Sequence, residues 1–182
     1  MAMICQRVGA AGGVIGEAGS CMIKIGFYTA HFTIYQPETN GNEEFCEDLP
    51  DVGQTLFVLD YLHDSLREVP VDFRILRDAT QRGQFTKWQD IQTIDDLEAQ
   101  TVFYQQGGIH AAGQLTIEHT FDTSGWYIGV VTAPHPTTGE MYHSVFPFQV
   151  DGTFFDFWTV VGILLLSVPI IVMARRWWVK RS

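Results

Sequence analysis

The sequence predicts a mostly β fold, a two-sheet β-sandwich followed by one C-terminal transmembrane α-helix. Three observations carry that expectation. Short segments rich in β-branched and aromatic residues alternate with period two along most of the chain. Breaks containing Gly, Asp and Pro separate them at the spacing of a sandwich or barrel. Near the C-terminus lie 18 consecutive uncharged residues, 157–174.

The strand candidates follow in order from residue 27. FYTAHFTIY (27–35) alternates, and TLFVLDYL (55–62) follows a DVGQ turn. VPVDFRIL (69–76) sets Val69, Val71, Phe73 and Ile75 on one face and Asp72, Arg74 and Leu76 on the other. QTVFYQ (100–105), QLTIEHTF (114–121), WYIGVVTA (126–133) and YHSVFPFQV (142–150) continue the series. KWQDIQTIDDLEA (87–99) is the one ambiguous stretch and reads as a strand and a short helical turn. Thirteen Phe, with Tyr and Trp, supply large apolar faces for one core. The expected organisation is a glycine-rich N-terminal arm (1–26), an extracytoplasmic sandwich (27–152), a transmembrane helix (153–176) and a basic cytoplasmic tail (177–182).

The C-terminal stretch has the length of a membrane span: 18 helical residues reach about 27 Å, against a hydrocarbon core of roughly 30 Å. Phe157 and Trp158 at one end and Trp177 and Trp178 at the other suit the headgroup level. Gly162 and Ser167 permit close helix contact, and Pro169 is tolerated in a membrane helix. Charge sets the direction. Residues 1–156 hold all 21 acids and 7 of the 11 bases, a net −14, while Arg175, Arg176, Lys180 and Arg181 give the tail +4. By the positive-inside rule the tail is cytoplasmic and the domain outside. The expected address is a bacterial inner membrane, crossed once, with the N-terminal domain in the periplasm. A −14 domain without a basic stripe repels phosphate backbones, which excludes nucleic acid as a partner. Residues 1–20 carry VGAAGGVIGEAG in place of an export h-region, and Glu17 interrupts it.

In TFDTSGWYIGVVTA and FPFQV, a strand ends, a tight Ser-Gly turn follows, and two strands complete a hairpin. An early segment has a central proline (Glu68, Val69, Pro70, Val71), and a late strand is led by Gly125, Trp126 and Tyr127. Over residues 54–150 this pattern resembles bacterial extracytoplasmic Ig-like domains of the YtkA-like and FixH-like kind. The resemblance implies an Ig-like sandwich and says little about function.

No nucleophile elbow, P-loop, dinucleotide fingerprint, CxxC or HExxH occurs. Among six histidines, His135, Met141 and His143 in PHPTTGEMYH are the candidate metal ligands: Met141 and His143 share a strand face, and a hairpin can fold His135 toward them. His and Met suit copper; the alternative is that Met141 packs and both histidines are solvated. His110 and His119 form a looser group. Cys5, Cys21 and Cys46 allow a Cys21–Cys46 disulfide with one spare, three free thiols, or a lipidated Cys21. Acidic runs at Glu43, Glu44, Glu47, Asp48 and Asp51, and at Asp90, Asp95, Asp96 and Glu98, lack EF-hand spacing. They read as a solvated face or as a dock for a basic partner such as a c-type cytochrome.

The functional expectation is a non-catalytic, single-pass accessory subunit that needs no cofactor. Its helix packs against other integral membrane subunits, and its outer domain braces a larger energy-transducing complex: respiratory, photosynthetic or a copper monooxygenase. The alternative is a membrane-tethered copper chaperone using His135, Met141 and His143.

Overall fold

The computed structural model describes residues 14–17 and 20–150, and these form a two-sheet antiparallel β-sandwich. One sheet has five strands in the order β1 (Val14–Glu17), β2 (Ser20–Ile25), β3 (Tyr28–Tyr35), β4 (Gly53–Tyr61) and β7 (Gln114–Phe121). The other has four, in the order β6 (Thr101–Gly108), β5 (Val71–Arg77), β8 (Gly125–Pro134) and β9 (Met141–Val150). Every neighbouring pair is antiparallel. Three helices of four residues each, α1 (Pro37–Asn40), α2 (Trp88–Ile91) and α3 (Leu97–Gln100), lie in the connections. None of the described helices is long and apolar enough to cross a membrane. The expected span, with its flanking Phe157, Trp158, Trp177, Trp178, Arg175 and Arg176, lies outside the described residues.

The period-two pattern becomes the core. Phe32 and Phe57 of β3 and β4 and Phe121 of β7 meet Phe73 of β5 and Phe146 and Phe148 of β9 between the sheets, all buried. Phe32 and Phe146 centroids lie 4.5 Å apart, and Phe57 sits 5.6 Å from Phe73 and 5.7 Å from Phe148. Offset and tilted pairs of this kind contribute about 0.5–1.5 kcal/mol each beyond area burial. Gly129 of β8 pairs in register with Phe146 of β9. A Cβ at Gly129 would overlap the Phe146 ring, which therefore lies across the β8 backbone.

Residues expected to form an N-terminal arm instead add a hairpin to the sheet. Cys21, Ile23 and Ile25 are buried at alternate positions of β2, so the arm already carried a strand period behind its glycines. Gly26, with φ of +62°, turns the chain from β2 into β3 and leaves its Cα face to the Tyr142 ring. The stretch 87–99 holds α2 and the start of α3 and contains no strand. Trp88, Ile91, Ile94 and Leu97 pack on Leu76, Ile128, Val130 and Val145, which forms a second, smaller core on the outer face of the four-stranded sheet.

The acidic loop between α1 and β4 is held at three points. Cys46 is disulfide-bonded to Cys21 of β2, with Cα atoms 5.4 Å apart. Phe45 pairs with Ile34 of β3. The Leu49 N–H donates to the Gln149 carbonyl at 2.7 Å and ties the loop to β9 of the opposite sheet.

Two stability measurements follow. The bridge closes a separation of 25 residues, for which chain entropy gives about 3 kcal/mol. Cys46→Ser should therefore lower Tm by roughly 10 °C in calorimetry, and reduction of the unmutated chain should do the same. Gly129→Ala should cost about 1–3 kcal/mol or more by overpacking, read as a lower urea midpoint, while Gly139→Ala in the solvated turn should cost less.

Candidate functional site

The histidines and methionine singled out from the sequence fall on two sides of one sheet. On β9, Tyr142, Phe146 and Phe148 pack on the main core, and Ser144 is buried with them. Met141, His143 and Val145 alternate to the outer face. There the His143 ring lies flat on Trp88, with centroids 3.7 Å apart and planes 11° off parallel. His135 sits with the inward set, its ring 5.2 Å from Phe27 and 6.0 Å from Tyr142. Its Nδ1 accepts the backbone N–H groups of Thr137 and Thr138, both at 3.1 Å. In the hairpin register Met141 faces Pro134 and His143 faces Thr132. The structure thus brings Met141 and His143 to one face and turns His135 to the other, because residues adjacent in a strand alternate. Among the described residues no group of three or more His, Cys, Asp or Glu is placed to hold a metal ion. His110 and His119 are not together either: His119 lies by Phe103 and Phe121, His110 by Tyr61. Cys5 lies outside the described residues.

Three of the four acids of the second run are engaged within the fold, and Asp95 stands exposed. Asp90 accepts the Lys87 backbone N–H and pairs with Arg82 at 3.0 Å. Asp96 caps α3 by accepting the Ala99 N–H. Glu98 pairs with Arg74 at 2.9 Å. In the first run Glu44 accepts the Tyr35 hydroxyl and Asp51 accepts from Asn40, while Glu43, Glu47 and Asp48 stand exposed on the stapled loop.

Concavities on the described part of the four-stranded sheet include the following. One, of about 490 Å³ and open, lies where β8 begins, between Arg77, Arg82 and Trp126. Its arginines are committed: Arg77 donates to Thr123, and Arg82 to Asp90. The other, of about 200 Å³, lies under the 78–100 connection and is lined by Asp72, Thr132, His143, Trp88, Leu97 and Tyr104 among others. Asp72, Thr132 and His143 stand side by side on β5, β8 and β9 in one cross-strand row. The Thr132 hydroxyl is 3.2 Å from His143 Nδ1, and Thr132 faces Asp72 across the β5–β8 pair. Burial raises the Asp72 carboxyl above its ordinary value, against the pull of Thr132 and Arg74. Burial also lowers His143 below the usual imidazole range. Arg74 beside them donates to Glu98 and to Thr101 Oγ1 at 2.6 Å and lies 4.2 Å over the Tyr104 ring.

Sequence reasoning placed Asp72 on the outer face of its strand and singled out His143, but it missed the row. The signal available was the shared outward parity of positions 72, 132 and 143. The register that aligns them depends on long-range pairing and cannot be read from any one segment.

These features define a mostly β, two-sheet domain with a small, partly apolar cavity on one outer face. No protein-family model and no curated protein matches the chain. A solved structure does: the PmoD soluble domain from Methylocystis sp. ATCC 49242 (Rockwell) is similar with a TM-score of 0.59 and 28% sequence identity. The match covers 71% of this chain and 97% of that one.

The lowered histidines give a pH dependence with a definite sign. His143 and His119 both sit below the ordinary 6.5, chiefly through burial. Their unfolded forms take up protons first, so stability is full above 6.5 and falls as the pH drops toward the folded values. Asp72, raised, has the opposite sign in a more acid window. His143→Gln should therefore flatten the fall of Tm between about pH 7.5 and 5.5 relative to the unmutated chain, as read by calorimetry.

Proposed function

We propose that the chain is an accessory subunit of a membrane-bound copper monooxygenase system. Its Ig-like domain braces the periplasmic face, and one C-terminal helix packs on neighbouring integral membrane subunits. The observation that carries this reading is the likeness to the PmoD soluble domain, at 28% identity over nearly the whole of that domain. The likeness is consistent with an accessory part in such a system, and it favours that host over the respiratory and photosynthetic assemblies. Two further features fit. The uncharged residues 157–174 followed by four bases supply an anchor and its direction. The disulfide suits an oxidising compartment. In this reading the chain does no chemistry, and the exposed Glu43, Glu47 and Asp48 on the stapled loop offer a dock for a basic partner such as a c-type cytochrome. The copper-chaperone alternative loses support, since His135 faces away from Met141 and His143.

Affinity purification from native membranes in mild detergent, followed by mass spectrometry, tests the reading. Monooxygenase subunits should co-elute in fixed ratio. A chain that elutes alone as a monomer would overturn it.

A further inference from the structure

We propose that the exposed turn 77–87 is a docking surface for an anionic lipid bilayer, with Phe85 entering the headgroup layer and Arg77, Arg82 and Lys87 meeting lipid phosphates. The proposal rests on the anchored-subunit reading, which supplies the bilayer.

Charge singles out the turn. Half of the Lys and Arg on the described residues, Arg77, Arg82 and Lys87, stand exposed between positions 77 and 87. Asp78 is the one acid in that stretch. Its carboxylate is engaged by the turn itself: Oδ1 accepts the Thr80 N–H and hydroxyl, and Oδ2 accepts the Gly83 N–H. Arg82 pairs with Asp90. Arg77 donates to the neutral Thr123 hydroxyl, and neither Arg77 nor Lys87 meets a carboxylate among the described residues. An acidic domain thus carries a local cluster of bases.

At its centre is an apolar ring. Phe85 is the most exposed large hydrophobic side chain among the described residues, at 67%. A lone exposed apolar residue means little. An aromatic ring among bases is the composition of surfaces that lie in the headgroup layer of anionic membranes. The turn also holds Phe85 ready. Its N–H donates to the Arg82 carbonyl, and the Thr86 hydroxyl donates to the Gly83 carbonyl. Gly83, at φ of +53°, rests on the Trp126 ring, which a Cβ there would approach to 3.1 Å. A turn supported in this way loses little freedom on docking.

Position names the occupant. Gly125 and Trp126, which line the concavity beside the turn, pair with Val150 and Gln149 at the end of β9. The uncharged run begins at residue 157, and the residues from Val150 to there reach at most about 25 Å. The ten residues of β9 span roughly 34 Å, so the end of the sandwich that bears the turn is the one held beside the bilayer. The two signs of charge flank the exit. Leu49 bridges the free edge of β9 and brings Glu47 and Asp48 to that side. The basic turn leaves β5, which lies beyond β8 on the other side. A bilayer on the basic side leaves those acids to solvent. Exposed charges more than about 8 Å away are largely screened at physiological ionic strength, so the nearest groups decide the contact.

Fluorine NMR of the full chain carrying 5-fluorotryptophan tests the docking. The chain sits in nanodiscs of equal parts phosphatidylglycerol and phosphatidylcholine, doped with lipid that carries a gadolinium chelate on its headgroup. Single Trp→Phe variants assign the resonances. Broadening of Trp158, Trp177 and Trp178 reads the anchor, and broadening of Trp126 reads the docked turn. Trp126 should broaden in these discs and sharpen in phosphatidylcholine alone. It should also sharpen in about 1 M salt, where the screening length falls to about 3 Å. Arg77→Gln and Lys87→Gln should each lower the ratio of docked to free domain about fivefold. Phe85→Ser, which removes an exposed side chain, should lower it too, with Trp177 and Trp178 unchanged. A sharp Trp126 beside broadened Trp177 and Trp178 would overturn the docking and leave the anchor standing. Trp126 broadening indifferent to lipid charge and salt would overturn it as well, even if a variant failed to fold. Sharp Trp158, Trp177 and Trp178 would overturn the anchored reading itself. An acidic protein is the rival occupant. Photolysis of Phe85→benzoylphenylalanine in native membranes should yield lipid adducts, and protein adducts in their place would overturn the proposal.

Discussion

The Phe146 ring lying across Gly129 is the constraint on which the rest of the structure turns. Phe146 comes from β9, yet it reaches over β8 to meet Phe32 of the opposite sheet at 4.5 Å and Phe73 of its own at 5.8 Å. That reach exists because position 129 has no side chain. A ring in this position touches both sheets at once, so it fixes their separation as well as the β8–β9 register. Register is otherwise weakly specified by apolar alternation alone, since a two-residue slip preserves the pattern. Here a slip would set Phe146 against Tyr127 or Val131 rather than against glycine, and the ring would have no room.

The outer face inherits its order from that register. With Gly129 opposite Phe146, Thr132 falls opposite His143, and the β5 pairing then sets Asp72 beside Thr132. The 78–100 connection completes the arrangement. β5 and β6 are adjacent antiparallel strands that a tight turn would suffice to join, and the long excursion between them is instead laid over the sheet. Trp88 and Leu97 anchor it by apolar burial, and Asp90, Asp96 and Glu98 hold its short helices through caps and ion pairs. The cavity is the space this cover leaves over a polar row in an otherwise apolar patch. A polar row at such a place lowers stability unless its groups find partners.

Much of the sandwich was legible in the sequence because period two is local. VPVDFRIL announces its two faces, and the strands from FYTAHFTIY to YHSVFPFQV lie within a few residues of their expected bounds. The β2 strand was missed because Gly16 and Gly19 around it masked the alternation of Cys21, Ile23 and Ile25, and because a hairpin at a sheet edge needs a partner strand to declare itself. The grouping of His135 with Met141 and His143 failed on parity. Sequence proximity in PHPTTGEMYH says that the residues are near, while the pleat decides which side each faces, and that depends on where pairing stops at Pro134 and Met141. Asp72 was unreadable as a site residue for a related reason. Its partners are 60 and 71 positions away in the chain, and only the folded sheet brings them alongside.

The acidic character of the domain divides in the same physical way. Asp90, Asp96 and Glu98 on the 78–100 connection are engaged by caps and by Arg82 and Arg74, so they shape the cover. Charges on the loop before β4 are different. Glu43, Glu47 and Asp48 are exposed, and the backbone that carries them is tied by a disulfide, a bridge to β3 and a hydrogen bond to β9. Holding like charges on a pinned loop costs repulsion that a free loop would relax. The staple removes that relaxation, and so keeps a fixed negative patch available at the surface. Fixed charge lowers the ordering cost of an encounter with a basic partner. The same number of acids on an untethered loop would steer a partner from a distance but hold it less well on contact.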